Sequence, residues 1–101
     1  MIKFIKIKKE NINIGSSNTD LLIGNVSAVA QGDQNGASEA NRVTIFDEGG
    51  MYYTFTVTGS GPAWAKSIQK AVTANPGGVL STVVIPASAA KATAATVSRF
   101  M

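Results

Sequence analysis

The chain has 101 residues, 45% apolar and 15% charged, which makes one globular domain with material for a single modest core. It contains no Cys and no His, so disulfides, thiolate nucleophiles, Cys/His zinc centres and imidazole acid–base chemistry are excluded. The net charge of +3 resides in residues 1–10, where Lys3, Lys6, Lys8 and Lys9 meet only Glu10; from residue 11 onward five basic and five acidic side chains cancel.

Residues 2–7 read I-K-F-I-K-I. Their β-branched content predicts a strand. Ile2 and Phe4 share one side of it and Ile5 and Ile7 the other, so a bulge or sharp bend between Phe4 and Ile5 is expected if both pairs face one core. On this strand Lys6 and Lys8 share a face, and Lys3 and Lys9 share the other. Residues 11–19 are polar and turn-rich. A second strand is predicted from Leu21 to about Ala30, with Leu22, Gly24, Val26 and Ala28 inward, the glycine permitting a bend. Residues 31–40 have the composition of a loop.

The clearest local pattern is a hairpin. Arg42–Phe46 runs into the turn Asp47-Glu48-Gly49-Gly50, and Met51–Thr58 returns. Val43, Ile45, Tyr53, Phe55 and Val57 are assigned to the core, and Tyr52, Thr54, Thr56 and Thr58 to the opposite face. Gly59-Ser60-Gly61-Pro62 then opens a helix whose apolar stripe is Trp64, Ile68, Ala71 and Val72, with Lys66 and Lys70 outward. Residues 75–78 (N-P-G-G) stop it. Val79–Ile85 reads as a strand buried on both faces, and residues 87–101 as a short helix, a loose tail or a subunit contact. The order predicts a mainly β fold with one covering helix, a small, strongly bent antiparallel sheet or partly open barrel, in a single domain.

The segment from Gly59 to Ser67 stands where a phosphate loop would, but Trp64 replaces the third glycine of the dinucleotide fingerprint and Ala65 the glycine before Lys-Ser of the Walker pattern. Asp47 and Glu48 are adjacent in a tight turn, so they point apart and are poor partners for paired acid–base work. Lys66 and Ser67 are helix neighbours and do not face each other. The chain is therefore expected to be non-enzymatic and to need no metal or cofactor. Its N-terminus is too charged for a signal peptide, and no apolar run approaches ~20 residues, so no membrane partner is expected. The remaining chemistry is the lysine strip. It reads as a guarded edge strand, for which lysine is the usual device, or as a phosphate-attracting surface. In the second reading Lys3, Lys6, Lys8 and Lys9 bind nucleic acid and Tyr52, the aromatic expected to be exposed, stacks on bases. Phe4, Tyr53, Phe55 and Trp64 are assigned to the core, and Phe100 is a further stacking candidate.

The opening IKFIKI, LLIGNVSAVAQ at 21–31, VTIFDEGGMYYTFTV at 43–57, the amphipathic helix and STVVIP at 81–86 together resemble a group of small proteins from marine cyanophages and ocean metagenomes. That group is similar in fold to Sm and Sm-like proteins. The resemblance covers residues 1–86. It implies a bent-strand barrel that assembles with copies of itself into a ring, of roughly five to seven subunits, and binds RNA or single-stranded nucleic acid. It places the protein in the host cytoplasm during infection, or in the virion if the chain is instead a structural or decoration subunit. The sequence departs from Sm proteins at three points. Thr58-Gly59 stands where they carry a basic residue and glycine, no Asp and Asn follow Gly24 in their pattern, and the helix precedes the last strand rather than opening the chain. No nucleotide-contacting residue is carried over.

Overall fold

The computed structural model describes residues 3–12, 20–33, 35, 37, 39–74 and 79–99, the last six as backbone. Among them the chain forms β1 (Phe4–Ile7), a 3-10 turn (Lys9–Asn11), β2 (Leu21–Gly24), β3 (Val26–Gln31), β4 (Arg42–Asp47), β5 (Met51–Thr56), α1 (Gly61–Thr73), β6 (Leu80–Thr82) and β7 (Ala94–Arg99). The fold is mainly β with one helix, as the sequence predicts. The strands make two small sheets, in the orders β2-β1-β6 and β3-β4-β5-β7. All neighbours are antiparallel except β1 and β6, which run parallel. The expectation of one all-antiparallel sheet is corrected here: α1 carries the chain back across the fold, so β6 enters beside β1 in the same direction.

The predicted strand over 21–30 is two strands meeting at Asn25, which holds a left-handed φ of 51°. Asn is one of the few non-glycine residues that adopts this conformation readily. Its amide donates to Lys3 O (2.9 Å) and its carbonyl accepts from Glu48 N (3.0 Å), tying the corner to the start of β1 and to the hairpin turn. The corner passes the chain from one sheet to the other, and a register shift between Val26 and Ala28 bends it further. These two irregularities reset the alternation. Ile23 is buried, Leu22 and Ala28 are exposed, and Val26 is half-buried against the core, where Leu22, Val26 and Ala28 were all expected inward.

The bend expected in β1 is absent from residues 4–7, whose pairing with β2 runs without a shift. Ile5 and Ile7 are buried and Phe4 points outward, while Ile2 lies outside the described residues. The hairpin forms as predicted, with Phe46 opposite Tyr52 and Val43 opposite Phe55. Its outer face is not uniformly wet: Thr44 and Thr54 are buried, their hydroxyls 3.0 Å apart, and Thr44 Oγ1 donates to Gly32 O (2.7 Å). β6 is shorter than the predicted strand over 79–85 and is not buried on both faces. Ser81 and Val83 point in, and Leu80, Thr82 and Val84 point out. Residues 94–99 form a strand against β5, neither the short helix nor the loose tail expected for the C-terminal segment.

The inner faces of both sheets and one side of α1 share a single core. Trp64 and Phe55 are its largest members, ring centroids 5.8 Å apart, and the indole N–H donates to Ala90 O (2.8 Å). Full burial of each large apolar side chain contributes about 1.5–3 kcal/mol. Trp64, Ile68 and Ala71 are buried and Lys66 and Lys70 exposed, as the helical spacing predicts. The predicted stop at residues 75–78 lies outside the described residues, and α1 ends at Thr73 with Ala74 as its C-cap. Gly61 is where the helix touches the 39–42 segment. A Cβ there would meet Glu39 O at 2.2 Å.

Candidate nucleic-acid interface

The lysine strip divides among three places. Lys3 continues the inward parity of Ile5 and Ile7, and its ammonium donates to the carbonyls of Val72 (3.1 Å) and Ala74 at the end of α1. Those carbonyls carry the negative end of the helix dipole and lack helical partners, so a lysine there is a C-terminal cap. Lys6 stands on the outer face of β1, between Leu22 of β2 and Thr82 of β6. Lys8 is extended (φ −65°, ψ 142°) and keeps the same parity, which carries the outward row from Lys6 to Lys8. Lys9 begins the 3-10 turn, and its backbone N–H donates to Asp20 Oδ1 (2.8 Å), which brings one carboxylate to that end of the face.

Phe4 heads the same row. It was assigned to the core by sequence, yet it is 37% exposed, two residues before Lys6. Successive residues of this parity are spaced by about 6.6–6.8 Å along a strand. Around them lie Leu22 (52% exposed), Leu80 (40%) and Val84 (78%). The outer face of the three-stranded sheet therefore carries an aromatic ring, two ammonium groups and an apolar surround. Among the described residues neither Lys6 nor Lys8 forms an ion pair. The signal that could have found Phe4 was its alternation with Lys6 and Lys8. The apolar character of Ile2 masked it.

Tyr52 is not part of this face. It is half-buried on the outer face of the other sheet, opposite Phe46 with ring centroids 6.2 Å apart. The five residues nominated from sequence thus fall into an outward pair (Lys6, Lys8), an exposed residue of the 3-10 turn (Lys9), a helix cap (Lys3) and a residue of the second sheet (Tyr52). Phe100 lies outside the described residues.

The other candidates for chemistry are occupied by the fold. At the start of α1, Gly61 N–H donates to Ala40 O (3.0 Å) and Ser60 N–H to Val57 O (2.7 Å), while Pro62 has no amide hydrogen. These amides are not presented to an anion. The Ser60 hydroxyl accepts from Ala90 N (2.8 Å). Asp47 Oδ1 accepts from Gly49 N (2.9 Å) and Met51 N (3.0 Å), and its Oδ2 accepts from Tyr53 OH (3.2 Å). Burial, reinforced by the Asp47 charge and this hydrogen bond, raises the Tyr53 phenol above its ordinary value of 10.0. Asp33 Oδ1 accepts from Asn35 N and Ala37 N, and its other oxygen lies 3.5 Å from Arg42. Among the described residues no three acidic side chains gather as a metal site, and no helix is long and apolar enough to cross a membrane.

Compared with protein-family models, with curated proteins and with solved structures, the chain finds no match in any of the three.

Proposed function

We propose that this chain is a non-enzymatic, self-associating module that holds RNA or other single-stranded nucleic acid across the outer face of β1. One observation carries the reading: Phe4, Lys6 and Lys8 form one outward row along and just beyond β1, Phe4 and Lys8 exposed and Lys6 half-buried, the lysines without ion-pair partners among the described residues. Single strands are gripped by this combination, cations tracking phosphates while bases lie on rings and apolar surface. The carboxylates of Asp33 and Asp47 are engaged in turns, which supports binding rather than catalysis. The ribbon bent at Asn25 supports an Sm-like relationship and the open edges support assembly of copies into a ring, whereas the parallel β1–β6 pair and the helix after β5 set the chain apart. The setting that follows is RNA or DNA processing in the infected host's cytoplasm.

Fluorescence anisotropy with labelled oligouridine and oligothymidine, each of about twenty nucleotides and so longer than one site, tests this. Binding is expected to weaken steeply between about 50 and 200 mM salt. Phe4→Ala should lose about 1–3 kcal/mol of affinity. No binding at the lower salt removes the reading.

A second reading is a virion structural or decoration subunit that binds no nucleic acid. The exposure of Leu22, Val79, Leu80 and Val84 favours it, because apolar side chains grouped on a surface are commonly covered by another protein. Mass spectrometry of purified virions separates the two, since a processing factor is absent from particles in stoichiometric amounts.

A further inference from the structure

We infer that the groove between α1 and the outer edge of β6 takes up an extended acidic peptide segment, as an added strand. The groove adjoins the lysine face of β1 at Thr82 and Val84 but draws on other groups, the outward edge of β6 and the two lysines of α1, so Lys66 and Lys70 test it separately from Lys6 and Lys8. The groove has a volume of about 510 Å³ and runs between Lys66, Lys70 and Ala71 of the helix and Thr82, Val84 and Pro86 of the strand side.

Contacts at both ends show how the walls lie. Ser81 Oγ approaches Ala74 O (3.4 Å) at the helix C-terminus, and Ala90 O accepts from the Trp64 indole near the N-terminus. The helix and the 81–90 segment therefore run side by side in opposite directions. Along the strand wall the backbone groups alternate. Val79 O accepts from Phe4 N and Val83 N donates to Lys6 O, so residues 79, 81 and 83 turn their polar groups toward β1. In a parallel ladder the intervening residues turn theirs away. Thr82 and Val84 accordingly direct their N–H and C=O groups to the open edge, and among the described residues nothing pairs with them. Such an edge is a template for one more strand.

The opposite wall sets the chemistry of that strand. Lys66 and Lys70 are exposed on the groove side of the helix, one turn apart, and the groove lining contains no acidic residue. Four residues of helix rise about 6.0 Å. Alternate residues of a strand are about 6.6–6.8 Å apart. Two carboxylates at positions i and i+2 of the incoming segment thus match the two ammonium groups, and the residue between them turns to the outer face beside Val84, which is 78% exposed. The recognised pattern is acidic, apolar, acidic.

The test uses the full chain and a labelled peptide, acetyl-Ser-Gly-Thr-Asp-Val-Asp-Val-Thr-Gly-Ser, followed by anisotropy and by amide hydrogen exchange. Saturating peptide is expected to slow exchange at Thr82 and Val84 at least tenfold. A peptide with the two Asp adjacent, and one with Asn for both, should bind at least tenfold more weakly. Val84→Pro removes an outward-facing donor without touching the ladder to β1 and should abolish binding. Lys66→Glu with Lys70→Glu should do the same. If that double variant fails to fold, the Asn peptide makes the same test on the unaltered chain. Equal affinity for the adjacent-Asp peptide, retained binding by Val84→Pro, or no binding at low salt overturns the inference. So does protection of Thr82 and Val84 by an oligonucleotide that displaces the peptide.

Discussion

Asp47 uses both carboxylate oxygens to hold the hairpin turn, and its removal should be felt as stability rather than as activity. Asp47→Ala leaves the amides of Gly49 and Met51 and the Tyr53 hydroxyl without their acceptor. Hydrogen bonds to a charged group contribute about 1.5–3 kcal/mol each, and these donors are partly wet, so a loss of about 2–3 kcal/mol is expected from urea midpoints. The Tyr53 phenol adds a pH dependence of definite sign. Its pKa is raised in the folded chain, so the folded state keeps the proton to higher pH than the unfolded state does. That contribution is complete below about pH 10 and is lost as the pH climbs through the folded value. Tyr53→Phe should therefore flatten the fall in stability above about pH 10, read as melting temperature against pH. Lys3 is the other residue whose role the structure changes. Lys3→Ala should lower stability by about 1 kcal/mol, the range for a cation at a helix end, and leave the affinity for oligonucleotides nearly unaltered, whereas Lys6→Ala should do the reverse.

At the scale of elements, the close approach of α1 to the 39–42 segment is the least forgiving joint. Gly61→Ala would place a carbon 2.2 Å from Glu39 O, a backbone atom that cannot step aside without moving the loop. A loss of at least about 2 kcal/mol is expected, seen as a lowered melting temperature. The hairpin and the helix were legible in the sequence because local rules govern them. A two-glycine turn between alternating apolar runs, and an apolar residue every three or four positions after Pro62, each determine their own element. The strands around Asn25 were not legible for a physical reason. Apolar alternation over 21–30 gives one strand with a bend permitted at Gly24, but a left-handed Asn25 and a bulge after Val26 shift its phase, and neither leaves a mark that apolar periodicity detects. The same reasoning explains Phe4. Its assignment rested on pairing it with Ile2, while the structure groups it with Lys6 and Lys8. Residues 94–99 are rich in small residues and carry little intrinsic preference, so their strand is imposed by the open edge of β5.

Over the whole molecule, two small sheets and one helix share a core to which each contributes, and the proposed binding surfaces are what that core leaves outside. The outer face of β2-β1-β6 carries the ring and cations, and its partly exposed Leu22, Leu80 and Val84 invite contact with other chains. Light scattering should give a solution mass above that of one 10.4 kDa chain. Lys6→Glu should weaken oligonucleotide binding and make its salt dependence shallower, by about one in the log–log slope, whereas substitutions at Tyr52, which occupies the other sheet, should leave both nearly unaltered.

The parallel pair has a further consequence, for the order in which the fold can be completed. Phe4 meets Leu80, seventy-six positions further along the chain. Until Leu80–Thr82 has left the ribosome, β1 lacks one of its two neighbours, however early its own residues emerge. Pairings of such separation are slow to form and leave a sticky margin in the meantime. Lys6 and Lys8, alternating with Ile5 and Ile7, are the kind of charge that keeps an unfinished sheet from pairing with other chains, whatever they hold once it is complete.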